Sequence, residues 1–276
     1  MATNNKLSEL KNIVAAFDSA VIAFSGGCDS TLLAKVAHDV LGSKALAVTA
    51  VSPTYTQAEI EEAKKLADSL GLNHMIIYTN ELENPDFVSN PPERCYYCKK
   101  ELMSQLRELA RSKNIEIILD GANADDRHDF RPGQKASKEL GVRSPLQEVG
   151  LTKAEIRSLS RELNLPTWNK PSLACLASRI PYGTKITREN LDRVGKSEEF
   201  LLSQGFVPVR VRDYGPTARI EILPDQFTNM ISKKDVVLRK LKELGYIYIT
   251  LDLAGFRSGS MNEVISKEHK LWTDNI

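Results

Sequence analysis

A chain of 276 residues with 42% hydrophobic and 26% charged side chains is globular, long enough for one large domain or two modest ones. Its formal net charge of +1 gives no electrostatic footprint for nucleic acid, and no apolar run reaches the length of about 18 residues that a membrane helix needs. The opening Met-Ala-Thr-Asn-Asn-Lys has no apolar signal-peptide core, which sets a cytoplasmic expectation. In that reducing setting cysteines 28, 95, 98 and 175 point to ligation or chemistry rather than disulfides.

Residues 6–17 read as an amphipathic lead-in helix. A short apolar strand from Ser19 then runs through Ala23 and Phe24 into Ser25-Gly26-Gly27-Cys28-Asp29-Ser30, and apolar residues recur at helical spacing from Leu32 to Val40. Strand, tight turn and helix follow one another. Two glycines let the backbone turn sharply and clear space for a phosphate, while Ser25, Asp29 and Ser30 stand where a helix's first N–H groups are unpaired. The plain alternative is a glycine turn with Asp29 or Ser30 as a cap. Cys28 reads as a small packing residue.

Further strands are expected at 45–51, 74–79 and 115–119, alternating with helices, which implies a parallel sheet with helices on both faces. Ligands of such sheets gather at the carboxyl ends of the strands, where the Ser25 turn and Val51 lie. Between the third and fourth strands, Cys95-Tyr-Tyr-Cys98 opens a helix, whose dipole favours thiolates. A single C-x-x-C can be a redox pair, half a zinc site or a chance spacing. Zinc needs two more ligands, with Cys175 and four scattered histidines on offer, whereas three thiolates suit an iron–sulfur cubane with one open iron.

Asp120-Gly-Ala-Asn-Ala-Asp-Asp126 follows the fourth strand, then a turn-rich linker is expected from Phe130 to Leu146, and Thr152-Lys-Ala-Glu155 is a capping box. Beyond Gly183 a smaller α+β unit begins: a helix at 189–204, strands at 207–212 and 218–222, a helix carrying Phe227 to Leu241, and a strand at 246–253. Alternation places Arg210 and Arg212 on one strand face, away from Val209 and Val211. Gly255 to Asn262 is a glycine-rich loop without an assigned role, followed by a surface helix.

The six-residue turn resembles the pyrophosphate loop of the ATP-pyrophosphatases, and no Gly-Lys-Ser/Thr makes it a Walker loop. The order of that loop, Asp-Gly-Ala-Asn-Ala-Asp-Asp, Arg-Ser-Pro-Leu, Trp-Asn-Lys-Pro, Ala-Cys-Leu-Ala-Ser-Arg-x-Pro-Tyr-Gly and Val-Arg-Val-Arg is similar to the LarE family, sulfur transferases of nickel-pincer cofactor synthesis. The resemblance runs from about residue 20 to about residue 260.

It implies a PP-loop domain over 1–180 and a C-terminal substrate and oligomerisation domain over 181–276. The implied reaction uses ATP and Mg2+ to adenylate both carboxylates of a pyridinium-3,5-dicarboxylic acid mononucleotide, then converts them to thiocarboxylates. ATP falls to Ala23, Phe24, Ser25, Gly26, Gly27, Asp29, Ser30 and Val51, with Gly121 at the α-phosphate and Asn123 or Asp125 near ribose or magnesium. Cys175, Ser178 and Arg179 become catalytic candidates, and Arg210 and Arg212 candidates for the substrate phosphate.

Sulfur comes in the family either from a sacrificed cysteine, here Cys175, or from a 4Fe–4S cluster, here on Cys95, Cys98 and Cys175; three cysteines favour the cluster. Glu198 and Glu221 match positions that bind metal between subunits. The expected state is a homo-oligomer with no nucleic-acid or membrane partner and an unidentified sulfide donor. Rivals are a cluster-dependent tRNA thiolase, a nitrogen-transferring ligase of the NAD- or GMP-synthetase kind, and a zinc-holding nucleotide sensor.

Overall fold

The computed structural model describes residues 2–128, 132–171, 175–257 and 259–265. They divide into two units whose segments interleave: Met1–Ser52, Gln57–Glu81 and Cys95–Leu173 form one, and Pro53–Thr56, Leu82–Arg94 and Ala174–Ile276 the other. A boundary near residue 180 therefore differs from this division. Hydrogen bonds give the reason, because Leu176 N donates to Thr54 O at 2.9 Å and Gly183 N to Asn90 O at 2.9 Å.

The first unit contains α1 (Ala2–Ala15), β1 (Ala20–Ala23), α2 (Cys28–Leu41), β2 (Ala45–Val51), α3 (Gln57–Ser69) and β3 (Asn73–Tyr78). In the C-terminal unit, α4 (Pro85–Val88) follows. The first unit resumes with α5 (Arg94–Ser112), β4 (Ile117–Leu119), α6 (Pro132–Glu139), α7 (Pro145–Glu148) and α8 (Lys153–Glu162). The sheet is parallel in the order β3-β2-β1-β4.

Strand alternation divides its core in two. Ala20 and Ile22 face Leu10, Leu32, Leu33, Leu66, Ile156 and Leu159, whereas Val21, Leu46 and Val48 face Met103, Leu106 and Ala110 of α5. Both faces are thus covered by helices, as the continuous apolar strands require. The expected linker is partly helical: α6 and α7 each start on a proline, whose missing N–H is no loss in a first turn. Residues 129–131 of that linker lie outside the described residues, as does the surface helix expected at the end of the chain.

The C-terminal unit carries α9 (Arg188–Ser203), β5 (Val209–Tyr214), β6 (Thr217–Ile222), α10 (Phe227–Ser232), α11 (Lys234–Glu243) and β7 (Tyr248–Leu251). The helix expected from Phe227 to Leu241 is broken at Lys233, which caps α10 and opens α11. The β5–β6 pair is antiparallel and β6–β7 parallel, over a core of Leu201, Phe206, Val209, Val211, Ile220 and Tyr246. Arg193 grips Asp213 with both ends of its guanidinium at 2.7–2.9 Å, and Tyr246 donates to Asp213 at 3.1 Å. Burial, reinforced by the Asp213 charge, pushes the Tyr246 phenol far above its ordinary value.

Candidate active site

The Ser25 turn sits at the carboxyl end of β1, where the strand order reverses between β1 and β4. Ala23 ends β1 and Val51 ends β2, so both stand at the ligand-binding edge, and Phe24 N donates to Val48 O at 2.8 Å. Gly26 has φ +67, and a Cβ there would lie 3.2 Å from the backbone of Ala63. Gly27 caps α2 without a side-chain hydrogen bond, which leaves first-turn N–H groups for an anion. Ser25 Oγ stands 3.1 Å from Ser30 Oγ and accepts from Gly27 N at 3.4 Å.

Gly121 packs tightly against the start of α2. A Cβ at this position would meet Ser30 N at 3.0 Å, so the missing side chain lets the β4 loop lie against the first turn of α2. Asp120 is a structural knot: its carboxylate accepts from Ser137, Ser144 and Ala122 N at 2.6–3.2 Å. Asn123 Oδ1 accepts from Asp125 N at 3.0 Å, and Asp125 Oδ2 from Lys153 N at 2.8 Å.

Two lysines missed in the sequence reach this turn. Lys153 Nζ pairs with Asp29 Oδ2, and Lys170 Nζ donates to Gly26 O at 3.1 Å while pairing with Glu62 at 2.9 Å. The signal for Lys153 was its place beside Thr152, hidden by the capping box that does form there. The other oxygen of Asp29, Oδ1, is buried and has no hydrogen-bond partner among the described residues, and the same holds for Thr31 Oγ1. An open carboxylate oxygen beside free N–H donors fits a magnesium–phosphate ligand, which Asp29 would hold.

Behind the turn, Thr49 donates to Phe24 O at 2.9 Å and meets His74 Nε2 at 2.8 Å. Burial holds His74 below its ordinary pKa, with Asp68 opposing and Lys64 assisting.

Cys95 and Cys98 lie in the first turns of α5 in the first unit, Cys95 exposed and Cys98 half-buried with Sγ 3.7 Å from Glu81 Oε1. Cys175 belongs to the C-terminal unit and precedes a one-turn 3-10 helix, Leu176–Arg179. Among the described residues, no three His, Cys, Asp or Glu side chains gather as they would around a metal ion. Cys28 is buried, with Sγ 3.6 Å from Ser160 Oγ.

Two buried ion pairs fasten the Cys175 turn. Arg179 grips both oxygens of Glu198 at 2.7 and 2.8 Å and turns Nη1 to the Cys175 carbonyl at 3.0 Å and to Ser178 Oγ at 2.8 Å. Arg212 grips Glu221 at 2.7 and 3.0 Å and donates through Nη1 to Ser178 O at 3.0 Å. Arg212 is buried in this pair rather than lying on a solvated face, whereas Arg210 is half-buried with its guanidinium 5.4 Å from the Phe256 ring.

The carboxylates are equally engaged. Glu198 also accepts from Val211 N at 2.9 Å, and Glu221 from Arg219 at 3.0 Å. Every oxygen of both is on a guanidinium group, so in this chain Glu198 and Glu221 position arginines.

A family profile described as NAD synthase matches residues 4–88. An uncharacterized protein of Synechocystis is 46% identical over 95% of this chain and 99% of its own. The pyridinium-3,5-bisthiocarboxylic acid mononucleotide synthase of Lactiplantibacillus plantarum is 42% identical over 89% of this chain and 90% of its own. This chain belongs to the LarE family. A component of the glutamine-hydrolyzing GMP synthase of Thermoplasma acidophilum is 30% identical over 70% of this chain and 66% of its own. As a LarE-family PP-loop sulfurtransferase the chain is an enzyme. Among the described residues, no helix is long and apolar enough to cross a membrane.

Proposed function

We propose that this LarE-family enzyme uses ATP and Mg2+ to activate the carboxylates of pyridinium-3,5-dicarboxylic acid mononucleotide and converts them to thiocarboxylates. The observation that carries this reading is the likeness to the Lactiplantibacillus plantarum synthase across nine-tenths of both chains. A carboxylate oxygen attacks the α-phosphorus of ATP and pyrophosphate leaves; a sulfur nucleophile then attacks the acyl carbon and AMP leaves. The N–H groups of the Ser25 turn, Lys153 and Lys170 counter charge on the departing pyrophosphate, and the open Asp29 oxygen is the place for magnesium. Ser25, Gly26, Gly27 and Ser30 seat the phosphates, Ala23, Phe24 and Val51 border the adenine, and Asn123 and Asp125 border the ribose. Arg210, Ser178 and the remaining Nη1 hydrogen of Arg212 address the substrate phosphate.

Sulfur is delivered at Cys175, whose carbonyl Arg179 holds. Cys95, Cys98 and Cys175 would together hold a 4Fe–4S cluster, which supplies an open iron for an exchangeable sulfide. Support for this lies in the donor set: two thiols one turn apart at a helix start, and a third on a fixed turn. A cytoplasmic homo-oligomer completes the reading.

The test is anaerobic purification with iron and sulfide analysis, then turnover with ATP and the pyridinium dicarboxylate, followed by mass measurement of product and polypeptide. Thiocarboxylate formed over many turnovers by an iron-loaded chain of unchanged mass bears the proposal out. A polypeptide lighter by one sulfur at Cys175 replaces the cluster route with sacrifice, and absence of substrate-dependent pyrophosphate release overturns the substrate assignment.

A further inference from the structure

The geometry points to the 255–262 segment as a strap that locks the Cys175 turn, with Ser260 as its positioning residue. Ser260 is buried; its hydroxyl accepts from Arg212 Nη2 at 2.8 Å and lies 3.1 and 3.2 Å from the two oxygens of Glu221. A hydroxyl has one proton, so Ser260 donates to one Glu221 oxygen while accepting from Arg212, and fixes both partners of the ion pair at once. Arg212 passes that constraint on, because its Nη1 holds the Ser178 carbonyl. The chain of contacts is Ser260 to Arg212 and Glu221, then Ser178, then the turn that begins at Cys175.

Other described residues of the segment meet the same neighbourhood. Tyr182 donates to Asn262 Oδ1 at 3.0 Å just beyond the Cys175 turn, and the Phe256 ring faces the Arg210 guanidinium. Phe256 N donates to Ile222 O at 2.8 Å. Gly255 makes that approach possible: it has φ +71, and a Cβ there would stand 2.9 Å from Ile222 O. Among the described residues, none of the segment joins the apolar cluster between α9, α11 and the sheet. Its polar hold is on the arginines and the turn, and Met261 is buried outside that cluster. Residue 258 lies outside the described residues.

This inference rests on the assignment of Arg210, Arg212 and Ser178 to the substrate phosphate only for its kinetic arm. In Ser260→Ala, KM for the pyridinium mononucleotide should rise about tenfold, the size of one lost hydrogen bond, with KM for ATP unchanged and Ser260→Thr restoring the original value. The structural arm needs no substrate. Amide hydrogen exchange in the full-length chain should accelerate in the 175–183 peptide of both Ser260→Ala and Gly255→Ala, and stay unchanged in α11 and in β1 to β3. Exchange at 175–183 that matches the unsubstituted chain, or that rises equally in α11, overturns the strap. Local acceleration with both KM values unchanged keeps the strap and overturns the phosphate assignment.

Discussion

The Ser25 turn and the Cys175 turn are both short, both functional in the reading above, and built on opposite principles. Around Ser25 the structure leaves groups unmet: first-turn N–H donors without a side-chain cap, Asp29 Oδ1 and Thr31 Oγ1 without partners among the described residues. Around Cys175 the charged groups are paired, Arg179 with Glu198 and Arg212 with Glu221. Unmet donors and acceptors are tolerable where a charged ligand will satisfy them. A turn that presents a reacting sulfur gains from being fixed beforehand.

The largest effect should come from breaking the fixed turn. Arg179→Ala leaves Glu198 buried without its counter-charge and should lower unfolding stability by about 3–5 kcal/mol in urea titration. Arg179→Met with Glu198→Leu should recover most of that stability without recovering sulfur transfer, which separates the fold from the chemistry.

The open turn should respond the other way. Asp29→Asn should cost less than about 1 kcal/mol of stability, as expected away from a buried network. Substrate-dependent pyrophosphate release should nonetheless fall about a hundredfold, the scale of a lost charge-stabilising group. Gly121→Ala stands between the two, since its Cβ presses on Ser30 N; it should cost about 1–3 kcal/mol and raise KM for ATP.

The smallest effect concerns His74 behind the Ser25 turn. Its folded pKa lies below the ordinary value, so the unfolded chain takes up the proton first as pH falls. The His74 contribution to stability is therefore complete above the unfolded value of about 6.5 and is lost as pH drops through it toward the folded value. His74→Gln should flatten that part of a stability-against-pH curve, and an unchanged slope would remove His74 as its source.

The sequence disclosed the parallel sheet and the Ser25 turn because both are local patterns: apolar strands of three to seven residues and a contiguous string ending at a helix start. It disclosed Arg210 and Arg212 as a pair but not what meets them. Glu221 reaches Arg212 only through the β5–β6 register, in which it stands opposite Arg210, and Glu198 reaches Arg179 only because α9 lies against the Cys175 turn. No spacing rule encodes either. The α6 and α7 helices were hidden because each is short and begins at a proline within a turn-rich stretch.

Interleaving has a practical consequence for anyone dissecting this enzyme. The backbone passes from one unit to the other five times, so a stop codon near residue 173 would not release a self-contained nucleotide-binding fragment. That fragment would keep Asn90 while losing the carbonyls of Ile180, Pro181 and Thr184 that its amide serves, stranding a buried polar group. Complementation by two co-expressed halves should fail where point substitution succeeds, and insertions belong in exposed loops rather than at 53–56 or 82–94.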